Sequence, residues 1–374
     1  MHDISVIEKL ASTTDSRIIQ IILDGVGDIY NNNTPSPLEK AQTPNLDKLA
    51  RASSLGLADP IFPGITPGSG PGHLSLFGYD PLKFNIGRGV LEALGIDLKL
   101  RDNGIYARGN FCTLDKNNVI LDRRAGRIST DINRTVCEKI NAGLKNFKEV
   151  PAKVYPVKEH RFVVEFLGEE LVPNILDADA QKDGLPYKYA EADTDTAIKT
   201  TEKVNKFIDH VLEILKGDEV NGILLRGFAK DPGLDNMEKR FSLRPAAVAQ
   251  YPMYRGLASL VGMTLLNVGE KMEDIPAALE RNWASDHDYY FLHIKKTDSY
   301  GEDGNYDGKV HVIEEFDKIL PRILALNPDA LLITGDHSTP CMMKAHSWHP
   351  VPLLLHSEFA RTDDMPFTEK NCRK

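Results

Sequence analysis

The 374-residue sequence predicts an α/β fold, a mainly parallel sheet covered on both faces, interrupted by a separate α+β unit. Three observations point there. Apolar, β-rich runs end in polar clusters at RIIQIILDGVGD (17–28), YYFLHIKKTDS (289–299) and ALLITGDHSTP (330–340), and VPLLLHS (351–357) follows closely. Nearly continuous apolar strands suit a sheet buried on both sides, and such sheets are mainly parallel. Helical patterns lie between these runs, and the stretch 105–243 has a different texture from its flanks.

The elements follow in order. The N-terminal MHDISVIEKLASTTDSR has neither an apolar signal core nor an Arg-rich amphipathic pattern. After the first strand, TPNLDKLARAS (43–53) opens with a Thr-Pro helix start. In the middle stretch, KVYPVKEHRFVVEFLG (153–168) reads as strand pieces and TDTAIKTTEKVNKFIDHVLEILKG (194–217) as a helix. This gives a discontinuous core, 1–104 and 244–374, around an insert, 105–243. KVHVIEEFDKILPRILAL (309–326) is a second amphipathic helix of the core. In open α/β sheets ligands bind beyond the carboxyl ends of the strands, so the three polar clusters should meet at one edge.

Composition narrows the function classes. A hydrophobic content of 41% supports a buried core, and the net charge of −9 argues against nucleic acid or an anionic membrane as partner. No apolar run approaches the roughly 20 residues of a membrane span. Cys112, Cys137, Cys341 and Cys372 are scattered without a CxxC pair, as expected for free thiols in a reducing cytosol. The expectation is a soluble, cytoplasmic protein, with a homo-oligomer compatible with the composition.

Four stretches can carry chemistry. Asp24 stands where the first strand emerges, either as a ligand or as the cap of the next turn. In GDHSTP, Asp336 and His337 pair a hard oxygen with an imidazole nitrogen, and His346 and His349 follow in KAHSWHPVP. That mixture suits Zn²⁺ or Mn²⁺ better than Ca²⁺. KKTDSYGEDGNYDG supplies Asp298 and Glu302 but lacks calcium-loop spacing; a solvated acidic loop is the plainer alternative. TPGSGPGHLSLFG sets Ser69 between glycines, without the strand–turn–helix elbow of serine hydrolases or the lysine of a P-loop. A tight turn explains it, and so does a serine activated by nearby divalent ions. In the insert, LDRRAGRIST and ILLRGFAK place Arg123, Arg124, Arg127 and Arg226 beside glycines, either a surface patch or an anion site.

LDGVGD, TPNLDKLA, ITPGSGPGHLSLFGYDP, DRRAGRI, AQYPMYRGLASLVGM, HIKKTDSYGEDG and TGDHSTP occur in order over nearly the whole chain. In these the chain resembles the cofactor-independent phosphoglycerate mutases of archaeal type, within the alkaline phosphatase superfamily. The resemblance implies an alkaline-phosphatase-like three-layer core with an inserted substrate-binding domain that excludes water on closing. It implies a serine, Ser69, that takes the phosphoryl group of 3-phosphoglycerate and returns it to give 2-phosphoglycerate, a step of glycolysis and gluconeogenesis. It implies two divalent ions (manganese, zinc, cobalt or magnesium) and no organic cofactor. Asp24, Asp336, His337 and Ser69 would serve one ion, and Asp298 and His346 the other. Arg123, Arg124, Arg127 and Arg226 would hold the substrate's phosphate and carboxylate, and Asp122 would transfer a proton between hydroxyls. His73 would support the loop. The family pattern Asp-x-x-x-His reads Asp298-Ser-Tyr-Gly-Glu302 here, and His349 stands where many members carry Asp. The expectation is that Glu302 and His349 exchange these roles and complete the second ion site. Another phosphotransferase of the superfamily, homoserine-kinase-like, or a phosphomonoesterase would use the same serine and ions.

Overall fold

The computed structural model describes residues 5–30, 34–84 and 86–373. The chain divides into two compact units, Met1–Asn85 with Asp235–Lys374, and Ile86–Leu234.

The first unit is built on a seven-stranded sheet. Its order is Thr264–Leu265, Pro245–Val248, Tyr289–Ile294, Ile18–Leu23, Ala330–Thr334, Val351–Ser357, Ser54–Ala58. The first five strands are parallel, and the pairings at Val351–Ser357 are antiparallel. Strand alternation divides the side chains between two faces. Ile19, Ile21, Leu23, Tyr290, Leu292, Ile294, Leu331 and Ile333 join a core that includes residues of the helices Pro44–Arg51, Asp274–Asn282 and Tyr306–Leu324. On the other face, Phe291 meets the rings of His73 and Phe77, and His293 stacks on Tyr254. The helices Ser69–Leu76 and Pro252–Leu260 therefore cover that side, which makes three layers. Each fully buried Ile or Leu contributes about 1.5–3 kcal/mol.

The second unit is antiparallel. Gly104–Leu114 lies between Arg161–Leu167 on one side and Gly222–Ala229 with Ile120–Asp122 on the other, and Ala152–Lys158 pairs with Arg161–Leu167. The helices Thr130–Leu144 and Ile198–Ile214 pack over it through Val136, Ile140, Val204, Phe207 and Val211.

Both unit boundaries differ from the expected 105 and 243. The helix Arg88–Gly95 belongs to the second unit because it packs against Gly104–Leu114: a Cβ on Gly89 would come within 2.2 Å of the Tyr106 carbonyl oxygen. Only glycine permits that approach. At the other end, the segment from Asp235 belongs to the first unit. Arg240 pairs with Glu8 at 2.5 Å, and the Tyr79 hydroxyl donates to the Asp235 carbonyl. Among the described residues no helix is long and apolar enough to cross a membrane. The four cysteines are buried free thiols.

A buried ionic network ties together the loops that leave the two central strands. Lys309 is fully buried; its Nζ donates to the Asp28 carboxylate and the Thr339 carbonyl at 2.9 Å, and to the Gly27 carbonyl at 3.3 Å. Glu369 accepts from the Asp28 N–H and the Ser36 hydroxyl. Burial raises the Glu369 pKa to about 7, against the opposing pull of the Ser36 hydroxyl and Lys309. The folded protein thus holds a proton that the unfolded chain releases above its ordinary value of 4.5. Stability is therefore expected to fall as pH rises from about 4.5 to 7, by about 3 kcal/mol, with little further loss above. Denaturant titrations of wild type and Glu369→Gln across that range check this. The variant should show the flatter profile, and parallel profiles would contradict it.

Candidate active site

Strand register gathers the polar clusters. Leu23 and Ile294 are Cα partners, so Asp24 and Lys295 emerge side by side; Ile22 pairs with Thr334, which brings Asp336 level with Asp24. Asp24, Asp336 and His337 are fully buried there. The serine arrives from the helix Ser69–Leu76, of which it is the first residue, with Gly68 in extended conformation as its cap. That helix lies close to the strand end: a Cβ on Gly72 would stand 2.4 Å from the Asp336 carbonyl oxygen.

Around His337 the groups converge. Its Nε2 lies 3.3 Å from Ser69 Oγ, 3.3 Å from Asp24 Oδ1 and 3.2 Å from Asp336 Oδ2. The Thr339 hydroxyl donates to Asp298 Oδ1 at 2.8 Å, so its oxygen accepts from His337 Nδ1–H, also at 2.8 Å. That network leaves the His337 Nε2 lone pair aimed at the carboxylates, the tautomer a metal ligand requires. Asp24 Oδ1 and Asp336 Oδ2 are buried without a hydrogen-bond partner. Buried carboxylate oxygens left bare are costly unless a cation meets them. Two carboxylates and one imidazole, all buried and convergent, fit a divalent ion.

A second group lies beside the first. Asp298, on the helix Lys296–Asp303, has Oδ1 3.5 Å from His346 Nε2, and Glu302, one turn later on the same helix, has Oε1 3.7 Å from that nitrogen. His346 donates from Nδ1 to the Pro67 carbonyl and stacks on His337 with ring centroids 3.6 Å apart. Burial pulls the His346 pKa down, but Asp298 and the Pro67 carbonyl outweigh it and hold it at about 9. Burial likewise opposes ionisation of Asp298, yet His346 and Lys295 keep its pKa at about 2. Asp24 also stays well below the ordinary carboxylate range despite burial, through His293, Lys295 and His337. The two aspartates thus stay ionised and favour cationic company.

His349 is not with them. Its Nδ1 faces Ser347 Oγ at 3.0 Å and its ring stacks on Trp348; among the described residues the second convergent group is Asp298, His337 and His346, with Glu302 at its margin and His349 outside it. The expected pairing of Glu302 with His349 is therefore corrected: His346 is the histidine that Glu302 approaches. His73 supports the serine turn, donating from Nδ1 to the Ser69 carbonyl at 2.8 Å, with Asp336 Oδ2 3.2 Å away.

Within the second unit, Asp179 draws two of the expected arginines together. Arg123 grips both its oxygens, at 3.1 and 3.2 Å, and Arg226 donates to Oδ2 from Nε while its buried Nη2 lacks a hydrogen-bond partner. Arg124 and Arg127 are exposed. Asp122 caps the turn beside these arginines. Its oxygens accept from the Arg124 and Gly126 N–H groups at 2.7 Å. Burial raises its pKa, but these two donors together prevail and leave it below the ordinary value, as suits a turn cap.

Sequence reasoning did not single out Tyr254, His293, Lys295 or Thr339. Tyr254 hydrogen-bonds Asp24 Oδ2, His293 approaches it at 3.3 Å, and Lys295 bridges Asp24 and Asp298. Lys295 was visible at the strand end in HIKKTDS, level with Asp24. Tyr254 arrives from a helix far away in sequence, and no local signal marks it.

Comparison with known proteins decides the family. The model of 2,3-bisphosphoglycerate-independent phosphoglycerate mutase matches residues 50–221. A Thermosipho africanus protein named as a probable enzyme of that kind is 52% identical over 371 residues, covering 99% of this chain and 92% of its own. The chain belongs to the 2,3-bisphosphoglycerate-independent phosphoglycerate mutase family. It is therefore an isomerase by descent. A Thermus thermophilus mutase-family protein is 48% identical over 99% of the chain and 92% of its own length. A solved Thermoplasma acidophilum cofactor-independent phosphoglycerate mutase superposes with a TM-score of 0.69 at 27% identity, covering 96% of this chain and 94% of that one. A Pyrococcus horikoshii structure gives a TM-score of 0.80 at 28% identity, covering 96% and 92%. The mainly parallel α/β sheet is the one the strand runs predicted.

Proposed function

We propose that this chain interconverts 3-phosphoglycerate and 2-phosphoglycerate through a phosphoserine at Ser69, in the cytoplasm, as a step of glycolysis and gluconeogenesis. The observation that carries this reading is Ser69 Oγ 3.3 Å from His337 Nε2, beside the bare oxygens of Asp24 and Asp336. Asp24, Asp336, His337 and Ser69 would hold one divalent ion, and Asp298, Glu302 and His346 the other. Ions there, with manganese and zinc the first candidates, lower the serine's pKa and shield the charge of the phosphoryl oxygens.

Ser69 Oγ takes the phosphoryl group from the C3 oxygen and returns it to the C2 oxygen. At the start of the helix Ser69–Leu76, Pro71 has no N–H and the Gly72 N–H is taken by the Gly68 carbonyl, which leaves the Ser69 and Gly70 N–H groups to suit the phosphoryl oxygens. Arg124 and Arg127, both exposed, and Nη2 of Arg226 would bind anionic groups of the substrate, while Asp179 holds Arg123 and Arg226 in place. Incubation with 3-phosphoglycerate and Mn²⁺, followed by phosphorus NMR, tests the proposal. A 2-phosphoglycerate resonance is expected, and inorganic phosphate as the sole product would make the protein a phosphomonoesterase instead.

A further inference from the structure

His337 belongs to both convergent groups, Asp24–Asp336–His337 and Asp298–His337–His346. The Thr339 hydroxyl touches members of both: it accepts from His337 Nδ1–H and donates to Asp298 Oδ1, each at 2.8 Å. A hydroxyl has one proton and an ionised carboxylate only accepts, so the direction of both bonds is fixed. The space around Thr339 is closed. It is fully buried, and a Cβ on Gly25 would stand 2.5 Å from its hydroxyl oxygen, a Cβ on Gly301 2.5 Å from its carbonyl oxygen.

The backbone of Thr339 is held in turn by Lys309. That ammonium has three protons and meets three acceptors: Asp28 Oδ2 and the Thr339 carbonyl at 2.9 Å, and the Gly27 carbonyl at 3.3 Å. The Thr339 N–H donates to the Gly27 carbonyl and the Cys341 N–H to Asp28 Oδ2, both at 3.0 Å. Lys309 thus ties the loop after Asp24 to the loop after His337, from a helix, Tyr306–Leu324, that supplies no member of either group. A buried ion pair is weak evidence for stability, so this one needs another reason. We infer that Thr339 is a positioning residue of the mutase reaction, aiming His337 and Asp298 through one hydroxyl, and that Lys309 holds Thr339 in register. The inference rests on the mutase reading above and adds which residues keep its ligands in place.

Thr339→Val removes the hydroxyl at nearly constant volume, Thr339→Ser keeps it, and Lys309→Met removes the ammonium but keeps the stem. With Mn²⁺ and 3-phosphoglycerate, Thr339→Val should lower kcat by about 10–100-fold with KM little changed. Thr339→Ser should recover most of the rate, and Lys309→Met, or Lys309→Gln if the first does not fold, should fall toward Thr339→Val. A second readout needs no turnover: ¹H–¹⁵N NMR of the full chain labelled at histidine, without added metal. Wild type should show a slowly exchanging His337 Nδ1–H, assigned by its loss in His337→Gln. Thr339→Val and the Lys309 variant should lose that protection, and Thr339→Ser should keep it. If Thr339→Val keeps both the rate and the protected proton, or if Thr339→Ser is as slow as Thr339→Val, this inference fails while the mutase reading stands. Wild-type values in the folded Lys309 variant would overturn the lysine's part. A wild type with the protected proton but no 2-phosphoglycerate would overturn the mutase reading, and the catalytic half of this inference with it.

Discussion

Ser69→Ala is expected to abolish interconversion of the phosphoglycerates, with a loss on the order of 10⁴–10⁶-fold, as for other removed nucleophiles. The substitution deletes one oxygen from a half-buried position at a helix start, so the fold should stand. The helix keeps its first hydrogen bond, from the Gly72 N–H to the Gly68 carbonyl at 2.9 Å, and the His73 bond to the Ser69 carbonyl uses only backbone oxygen. The variant should therefore melt near the wild-type temperature and still bind divalent ions. Phosphorus NMR reads the loss of turnover, and mass spectrometry of acid-quenched wild type should find phosphate on Ser69. Turnover retained in the alanine variant would remove the phosphoserine mechanism.

Asp336→Asn should cost activity almost as heavily, on the order of 10³-fold or more, by a different route. The amide keeps the size of the side chain but cannot present two anionic oxygens. The change strips charge from a buried group built to meet a cation, and the several kcal/mol of charge stabilisation supplied by the ion go with it. The backbone cannot shift to compensate, because Gly72 packs against the Asp336 carbonyl. Elemental analysis should show one ion lost per chain, with the secondary structure unchanged by circular dichroism. Full metal content with full activity would mean that the bare oxygens of Asp24 and Asp336 face something other than an ion.

Much of the fold was legible as strand runs. RIIQIIL, YYFLHI and ALLIT are apolar on both faces because both faces are covered, and each ends in the polar residues that the register then sets side by side. The boundaries of the insert were not. Gly89 is one glycine in a short helix, and its role in bringing that helix onto Tyr106 depends on a strand that follows it. Asp122 shows the same limit. Beside three arginines it reads as a chemical group, and only the turn that closes on it shows that the Arg124 and Gly126 N–H groups occupy it.

Residue type and order thus determined which donors could act. Ser69 stands among glycines, Asp24 and Asp336 at strand ends, His337 and His346 behind them, and Glu302 one helical turn after Asp298. The tertiary structure decided which of these meet. It turned His349 toward Ser347 and Trp348, brought His346 to Glu302, and inserted Lys295 and Tyr254 among the carboxylates. The physical reason is range. Alternation and helical spacing are set within a few residues, whereas the partner of a buried charge comes from wherever the packed chain can supply one, here 230 residues away for Asp24 and Tyr254 and 281 for Asp28 and Lys309.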